Sequence, residues 1–413
     1  MHESATHQNS TNRIYMDNAA TSFPKPVEVT QAMVDYARNI GASAGRGAYA
    51  EARQSARVIQ NCRTLLARLF NGENPNHFIF TLNCTDALNM AIHGWLNPGD
   101  HAVCIAMDHN SILRPLNELV AHNGITQTRI EVDPQTGLAE PEDIRKALRP
   151  QTRLIALGHA SNVTGTVQNI QQIGLIARES QIAFLVDAAQ SAGHLPIDVI
   201  KDRIDFLACP GHKGLLGPLG TGFLYIRPGL ENQLRTRRQG GTGSVSQRDV
   251  QPEFMPDRFE PGSHNAIGIA GLAEGINWIL RRGVNEIARH ERELCTAFIE
   301  AVQNIEGLRF FGPNSSANRV GVFSIRIDGF TPLELSEQLE KEFGILTRAG
   351  LHCAPLAHQA IGTFSDQQTE SQSGTTRLSF GVFTQKSQVQ FAAEALATLA
   401  ARKIGKEHVG SAV

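Results

Sequence analysis

Hydrophobic residues between positions 77 and 227 occur in short runs that alternate with segments of helical spacing. The runs are rich in β-branched and aromatic residues and are bounded by turn residues, which predicts strands buried on both faces. Segments at 85–96, 111–124 and 169–181 place apolar residues at helical intervals. Strands that alternate with helices predict a mostly parallel α/β sheet. The strand runs are HFIFT, HAVCIA, TRLIALG, IAFLVDAA, DFLACP and GFLYIR.

The pattern changes after about residue 265. Positions 266–305 form a long helical stretch that only glycines interrupt, and shorter strands and helices follow it, which predicts a smaller α+β domain. We therefore expect a flexible N-terminal tail over 1–14, a large domain over 15–264 and a small domain over 265–413.

Composition excludes several classes of function. The 413 residues carry a formal net charge of -2 without a basic block, which disfavours a nucleic-acid partner. No apolar run reaches the roughly 18 residues that span a bilayer, and the polar N-terminus lacks the apolar core of a signal peptide. The six cysteines are scattered, without a C-x-x-C pair, which argues against a zinc finger or a disulfide framework. We expect a cytoplasmic protein without a membrane partner.

Two charged residues follow buried strands. Asp187 ends one strand, and Lys213 follows another within a glycine-rich segment that permits close backbone approach to a ligand. Alone, each has an ordinary alternative: Asp187 as a helix N-cap or a surface ion pair, and Lys213 as a lysine that extends from a turn into solvent. Together they suggest pyridoxal 5′-phosphate, which needs a lysine for covalent attachment and an acid opposite its ring nitrogen.

The same cofactor needs a phosphate cradle. The segment FTLNCTDALNMAI provides a strand end, small polar residues and a helix start, where backbone N–H groups and the Thr85 hydroxyl can hold a phosphate. The alternative is an ordinary helix N-cap made of the same residues.

Nine sequence motifs, which occur in order over about residues 15–385, resemble the motifs of a known enzyme family. The chain resembles the class V, fold-type I enzymes that use pyridoxal phosphate, and within them the cysteine desulfurases of the short-loop group, which includes selenocysteine lyases. The resemblance implies a large domain with a mostly parallel seven-stranded sheet, a smaller C-terminal α+β domain that carries the catalytic cysteine loop, and a homodimer with a shared active site. The motifs are YMDNAATSFPKP, FTLNCTDALN, MDHNSI, HASNVTGT, VDAAQSAGHLPIDV, PGHKGLLGPLGTGFLY, RFEPGSHN, TRAGLHCAP and TTRLSFG.

The resemblance also implies roles around the cofactor ring. Lys213 would hold the cofactor covalently, and Asp187 would pair with its ring nitrogen. Gln190 would bind the ring hydroxyl oxygen, with Asn162 near that oxygen and the substrate. His109 would stack on the ring and transfer protons. Taken alone, His109 is an ordinary capping or core histidine and Asn162 an ordinary turn residue.

The phosphate and the substrate have their own implied residues. Cys84, Thr85 and His212 would bind the phosphate, with Ser263 reaching in from a second subunit. Arg377 would bind the substrate α-carboxylate, for which a guanidinium has suitable geometry; alone, it is an ordinary ion-pairing arginine.

Three residues depart from the family pattern. Pro210 stands where a phosphate-binding serine is frequent, Cys84 replaces a frequent threonine in the cradle, and Leu351 replaces the first histidine of an H-H-C run. These changes concern phosphate affinity and the branch within the family.

Cys353 is the expected nucleophile, which would accept sulfur from L-cysteine as a persulfide while alanine is released. A nucleophilic thiol has to be accessible and near positive charge, and Arg348 lies five residues upstream.

A metal site made of His352, Cys353 and His358 lacks a fourth ligand nearby in sequence, so we expect no metal. The remaining alternatives are a selenocysteine lyase or another C–S lyase, an aminotransferase on the same scaffold, and a binding protein that has lost the chemistry. Iron–sulfur cluster assembly with a protein sulfur acceptor is the expected context.

Overall fold

The computed structural model describes residues 13–45, 47–365, 367, 369 and 372–410, with side chains up to residue 402. Most of the predicted tail over 1–14 lies outside these residues, and Ile14 belongs to a strand. The strands are β1 (Ile14–Tyr15), β2 (Phe78–Thr81), β3 (His101–Ile105), β4 (Thr126–Ile130), β5 (Thr152–Gly158), β6 (Ala183–Asp187), β7 (Phe206–Pro210), β8 (Gly222–Ile226), β9 (Leu308–Phe311), β10 (Val322–Ile327), β11 (Ile345–Leu346), β12 (Arg348–Gly350) and β13 (Thr375–Ser379). The helices are α1 (Val27–Asp35), α2 (Ala50–Phe70), α3 (Cys84–Trp95), α4 (Asn110–His122), α5 (Pro141–Ala147), α6 (Ile170–Glu179), α7 (Ala266–Arg282), α8 (Val284–Val302), α9 (Pro332–Phe343), α10 (Pro355–Ala360) and α11 (Lys386–Gly410).

A seven-stranded sheet in the order β2-β8-β7-β6-β5-β3-β4 forms the centre of the molecule, which confirms the predicted α/β fold. β8 runs antiparallel to both of its neighbours, and the other pairs are parallel. Along β6, Phe184 and Val186 belong to the hydrophobic core on one face, whereas Leu185 belongs to the core on the other. This alternation explains the continuous apolar runs, because successive side chains of a strand point to opposite faces.

A four-stranded antiparallel sheet in the order β12-β13-β10-β9 forms the second, smaller unit. Its core contains the apolar faces of α8, α9 and α11, represented by Phe298, Leu339 and Leu396. β1 pairs in parallel with β11, so the N-terminal segment packs on this smaller unit.

The long helical stretch predicted over 266–305 forms two helices, α7 and α8, which Gly283 separates with a φ of 84°. α7 packs against α1 and α2, and its buried residues Leu272 and Ile276 belong to a core of the large sheet. On this packing we propose Gly283, instead of residue 264, as the boundary between the two units. Within the described residues, none of the helices combines the length and the apolar character that a membrane span requires.

Candidate active site

The carboxyl ends of the parallel strands meet at one edge of the large sheet, as ligand-binding α/β sheets require. Asp187 ends β6, and Lys213 follows the end of β7. A cavity that is partly open to solvent lies at this edge. It brings together most of the residues predicted for the site. Among its lining residues are Cys84, Thr85, His109, Ser111, Asn162, Asp187, Gln190, Pro210, His212 and Lys213.

Asp187 is buried, and one of its carboxylate oxygens already has two donors. Oδ1 accepts hydrogen bonds from the backbone N–H of Ala189 at 2.8 Å and from the Cys84 thiol at 3.3 Å. Burial raises the pKa of Asp187 above the ordinary value of an aspartate. The Cys84 side chain therefore contacts the carboxylate; its expected role at the phosphate stays a prediction.

Lys213 is half-buried within the cavity. Burial and the charge of Arg377 lower the pKa of its ammonium group, which favours the neutral amine needed for covalent attachment to a carbonyl. The turn before it is fixed by the N-terminal segment, because the backbone carbonyl of His212 accepts hydrogen bonds from Thr21, Ser22 and Lys25. Burial also lowers the pKa of Lys25 to about 8.

His109 caps the N-terminus of α4. Its Nδ1 accepts the backbone N–H of Ser111 at 3.1 Å, and the Ser111 hydroxyl in turn contacts Thr85 at 2.8 Å. Burial, followed by the charge of Lys213, lowers the pKa of His109 to about 4. The ring is therefore neutral near pH 7, and because Nδ1 is an acceptor, its proton is on Nε2.

Gln190 and His212 both line the cavity. The Gln190 amide donates from Nε2 to the carbonyl of Ala19 at 2.9 Å, which leaves its side-chain oxygen outside this bond. The Nδ1 atom of His212 is buried without a hydrogen-bond partner, and burial lowers its pKa to about 4. A buried ring nitrogen without a partner indicates a place for a ligand group.

Three predicted site residues do not line this cavity, namely Ser263, Arg377 and Cys353. Ser263 lies just before α7. It is exposed in a separate depression beside Glu260 and His264. Glu260 forms a buried ion pair with Arg63 and accepts a hydrogen bond from the backbone N–H of Phe80, so the segment that carries Ser263 is fixed to β2.

Arg377 is almost completely buried, with 1% of its surface exposed. Its guanidinium pairs with the Asp17 carboxylate at 2.8 Å and donates to the carbonyl of Asn162 at 3.1 Å, while its Nε has no partner. Burial lowers the pKa of Arg377, and Asp17 opposes this shift. The sequence placed Asp17 in a motif without giving it a role, because it lies 360 residues from Arg377 along the chain.

Cys353 is exposed, whereas Cys62, Cys84, Cys104, Cys209 and Cys295 are buried. Its Sγ lies 3.9 Å from Nη2 of Arg348, and its carbonyl accepts the backbone N–H of Asn110. The groove around Cys353 shares three lining residues with the cavity of Lys213, namely Thr85, His109 and Ser111. The expected nucleophile therefore borders the same site.

The histidines near Cys353 face the interior. His352 is buried against the Thr375 hydroxyl, and burial lowers its pKa well below the ordinary value. His358 is likewise buried and contacts Thr363. Among the described residues, three or more metal-ligating side chains do not converge on one point.

Comparisons with known proteins agree with this geometry. The family model of the class-V aminotransferases matches residues 14–391. A probable cysteine desulfurase of Methanothermobacter thermautotrophicus is 33% identical over 392 residues, which cover 94% of each chain. The structure of a cysteine desulfurase from Thermococcus onnurineus NA1 superposes with a TM-score of 0.86 at 31% identity, covering 94% of this chain and 95% of the other. The cysteine desulfurase CsdA from Escherichia coli gives a TM-score of 0.82 at 27% identity, covering 93% and 94%.

Proposed function

The chain belongs to the class-V aminotransferase family and, within it, to the cysteine desulfurases, and from this premise we propose that it removes sulfur from L-cysteine. The products would be L-alanine and a persulfide on Cys353. The shared lining of the Cys353 groove and the Lys213 cavity carries the proposal, because an aminotransferase needs no accessible thiol beside its cofactor.

The family depends on pyridoxal 5′-phosphate, and the cavity residues fit this cofactor. Lys213 would hold it covalently, and the buried Asp187 carboxylate would pair with the ring nitrogen. When bound, the cofactor supplies an electron sink for charge that develops on the substrate's α-carbon. Gln190 and Asn162 would lie at the ring hydroxyl.

The phosphate would lie at the start of α3. The backbone N–H groups there, the Thr85 hydroxyl and the buried Nδ1 of His212 support this placement. Pro210 lines the cavity without offering a hydroxyl, and the Cys84 thiol is directed to Asp187. We therefore assign more of the phosphate contact to Thr85 and His212.

Arg377 would bind the substrate carboxylate. Its Nε is without a partner, and its guanidinium is already fixed by Asp17 and Asn162. His109, a neutral ring with its proton on Nε2, would donate a proton to the reacting substrate.

Cys353 would complete the reaction. Its sulfur, which lies beside the guanidinium of Arg348, attacks the substrate sulfur as the thiolate and forms an S–S bond. The C–S bond breaks with its electron pair on carbon, and protonation of that carbon gives alanine. Asn162 supports the loop, because its amide donates to the carbonyl of His352 at 2.7 Å.

A homodimer forms part of the proposal. Ser263 is exposed and does not line the cavity of its own chain, which supports its delivery to the phosphate of a second copy. The six unpaired cysteines support a reducing compartment, so we place the protein in the cytoplasm. A protein sulfur acceptor and a role in iron–sulfur cluster assembly complete the proposed context.

The decisive experiment measures alanine and sulfide released from L-cysteine in the presence of a reductant. Wild type should release both in equal amounts, and Cys353→Ala should release neither above background. Cys104→Ala, which removes a buried thiol, serves as the matched control and should retain activity. Exchange of the amino group with a keto acid, with no release of sulfide, would indicate an aminotransferase. Cleavage of selenocysteine that survives in Cys353→Ala, without cleavage of cysteine, would indicate a selenocysteine lyase.

A further inference from the structure

The turn that carries Lys213 packs directly against the ring of His194. A Cβ added at Gly214, the residue after the lysine, would lie 2.1 Å from Cδ2 of His194 and 2.3 Å from its Nε2. A Cβ at Gly193 would lie 2.3 Å from the carbonyl oxygen of Gly214. Such distances leave no room for movement of the two turns toward each other, so the position of the imidazole limits the position of the lysine turn.

The opposite side of the His194 ring faces Glu291 of α8. Nδ1 lies 3.2 Å from Oε1 and 3.3 Å from Oε2 of this carboxylate, and the two side chains are 15% and 9% exposed. Burial alone would lower the pKa of His194, but the charge and hydrogen bond of Glu291 outweigh it and raise that pKa. The pair is therefore a charge-assisted contact between the two structural units.

Glu291 also connects to the antiparallel sheet. Its Oε1 accepts the backbone N–H of Gly321 at 2.8 Å, immediately before β10. Ser324 of β10 pairs in register with Arg377 of β13. A continuous path of contacts thus runs from the lysine turn, through the ion pair, to the strand that carries Arg377.

We propose that His194 and Glu291 are positioning residues. They hold the turn that carries Lys213 in the position needed for cofactor attachment, and they fix this turn relative to the sheet that contains Arg377. The inference rests on the proposed role of Lys213 in holding pyridoxal 5′-phosphate. Neither residue lines the cavity, so each acts through the turn and not through contact with the cofactor.

The test titrates pyridoxal 5′-phosphate into the cofactor-free protein and measures the dissociation constant from the visible absorbance band. His194→Gln and Glu291→Gln should each weaken binding about tenfold, since loss of a partly buried charged hydrogen bond costs on that order. The double variant should weaken binding no more than either single variant, because both changes break the same contact. Additive effects in this double-mutant cycle would show that the residues do not act as a pair and would overturn the proposal.

Conservative variants separate positioning from a general loss of structure. Glu291→Asp and His194→Lys keep the charges and should recover at least a third of the lost affinity; no recovery in either would overturn the proposal. If a glutamine variant fails to fold, as judged by circular dichroism, asparagine replaces glutamine at that position, and the same results support or overturn the proposal. Glu293→Gln, an exposed glutamate on the same helix, is the matched control and should bind as wild type does. An equal loss in this control would also overturn the proposal.

The titration does not depend on desulfurase activity. Wild type that binds the cofactor but releases no alanine would contradict the proposed function and leave the test of the pair intact. Wild-type affinity in both glutamine variants would contradict the pair and leave the proposed function intact.

Discussion

The guanidinium of Arg348 lies 3.9 Å from the sulfur of Cys353, the exposed cysteine of the groove that borders the Lys213 cavity. Arg348 belongs to β12, and its register partner on β13 is Arg377. Adjacent strands therefore present one arginine to the nucleophile and another to the proposed carboxylate site. This arrangement places positive charge beside the proposed nucleophile and beside the proposed site of the substrate carboxylate.

Replacement of Arg348 should make the Cys353 thiol less reactive. In Arg348→Met we expect the rate of Cys353 alkylation by iodoacetamide at pH 7 to fall about three- to tenfold, because the change removes the charged hydrogen-bond donor that contacts the sulfur. Arg348→Lys should retain most of the rate. The alkylation is followed by mass spectrometry of the Cys353 peptide. Arg309→Met, an exposed change on β9, is the control, and an unchanged rate in Arg348→Met would refute this role.

Replacement of Arg377 should affect substrate binding more than the chemical step. Arg377→Lys keeps the charge but loses the paired N–H geometry, so KM for L-cysteine should rise at least about tenfold with a smaller change in kcat. Steady-state alanine release measures both constants. Arg326→Lys on β10, whose guanidinium donates to the backbone carbonyls of Thr363, Gln372 and Gly374, should leave KM near the wild-type value. A similar KM in Arg377→Lys would show that another group binds the carboxylate.

Removal of Lys213 should abolish covalent attachment of the cofactor. Lys213→Ala mixed with pyridoxal 5′-phosphate should lack the visible absorbance band and should lose the cofactor on gel filtration, since it has no amine at this position. Cys353→Ala should keep the band at full intensity because the thiol has no part in attachment. Lys146→Ala, an exposed lysine of α5, is the control. A stable band in Lys213→Ala would assign the attachment to another lysine.

His159 should make folding stability depend on pH. Burial lowers its pKa from 6.5 to about 4 in the folded state, so the unfolded chain binds a proton first. The stabilising contribution is therefore complete above about pH 6.5 and is lost as the pH falls toward 4, by about 1.4 kcal/mol per pH unit. His159→Asn should reduce the slope of unfolding free energy against pH by this amount. Urea titrations across the interval measure the slope.

The exposed His122 provides the control for that experiment. His122→Asn should leave the slope of unfolding free energy unchanged between pH 4 and 6.5. If His159→Asn and His122→Asn give the same slope of unfolding free energy against pH, the burial of His159 is not the cause of the pH dependence.

The local pattern of apolar and polar residues was sufficient to predict most of the helices and strands, because buried positions are occupied by apolar residues. Six strands of the large sheet were predicted from their apolar runs. β4 was missed because it lies at the edge of the sheet, where four of its five residues are polar and are exposed or half-buried. Helical spacing does not identify which core a helix covers, so the packing of α7 beside the large sheet is information that the structure adds.

The sequence by itself determined the fold class, the family and the residue types of the site: a lysine and an acid after buried strands, and a cysteine on a glycine-containing loop. The tertiary structure decided which groups touch. It placed the Cys84 thiol on Asp187, the Asp17 carboxylate on Arg377 and Glu291 on the His194 ring behind the lysine turn. Each of these contacts joins segments about a hundred residues or more apart. The physical reason is that burial follows local periodicity, whereas side-chain pairing depends on how distant segments pack.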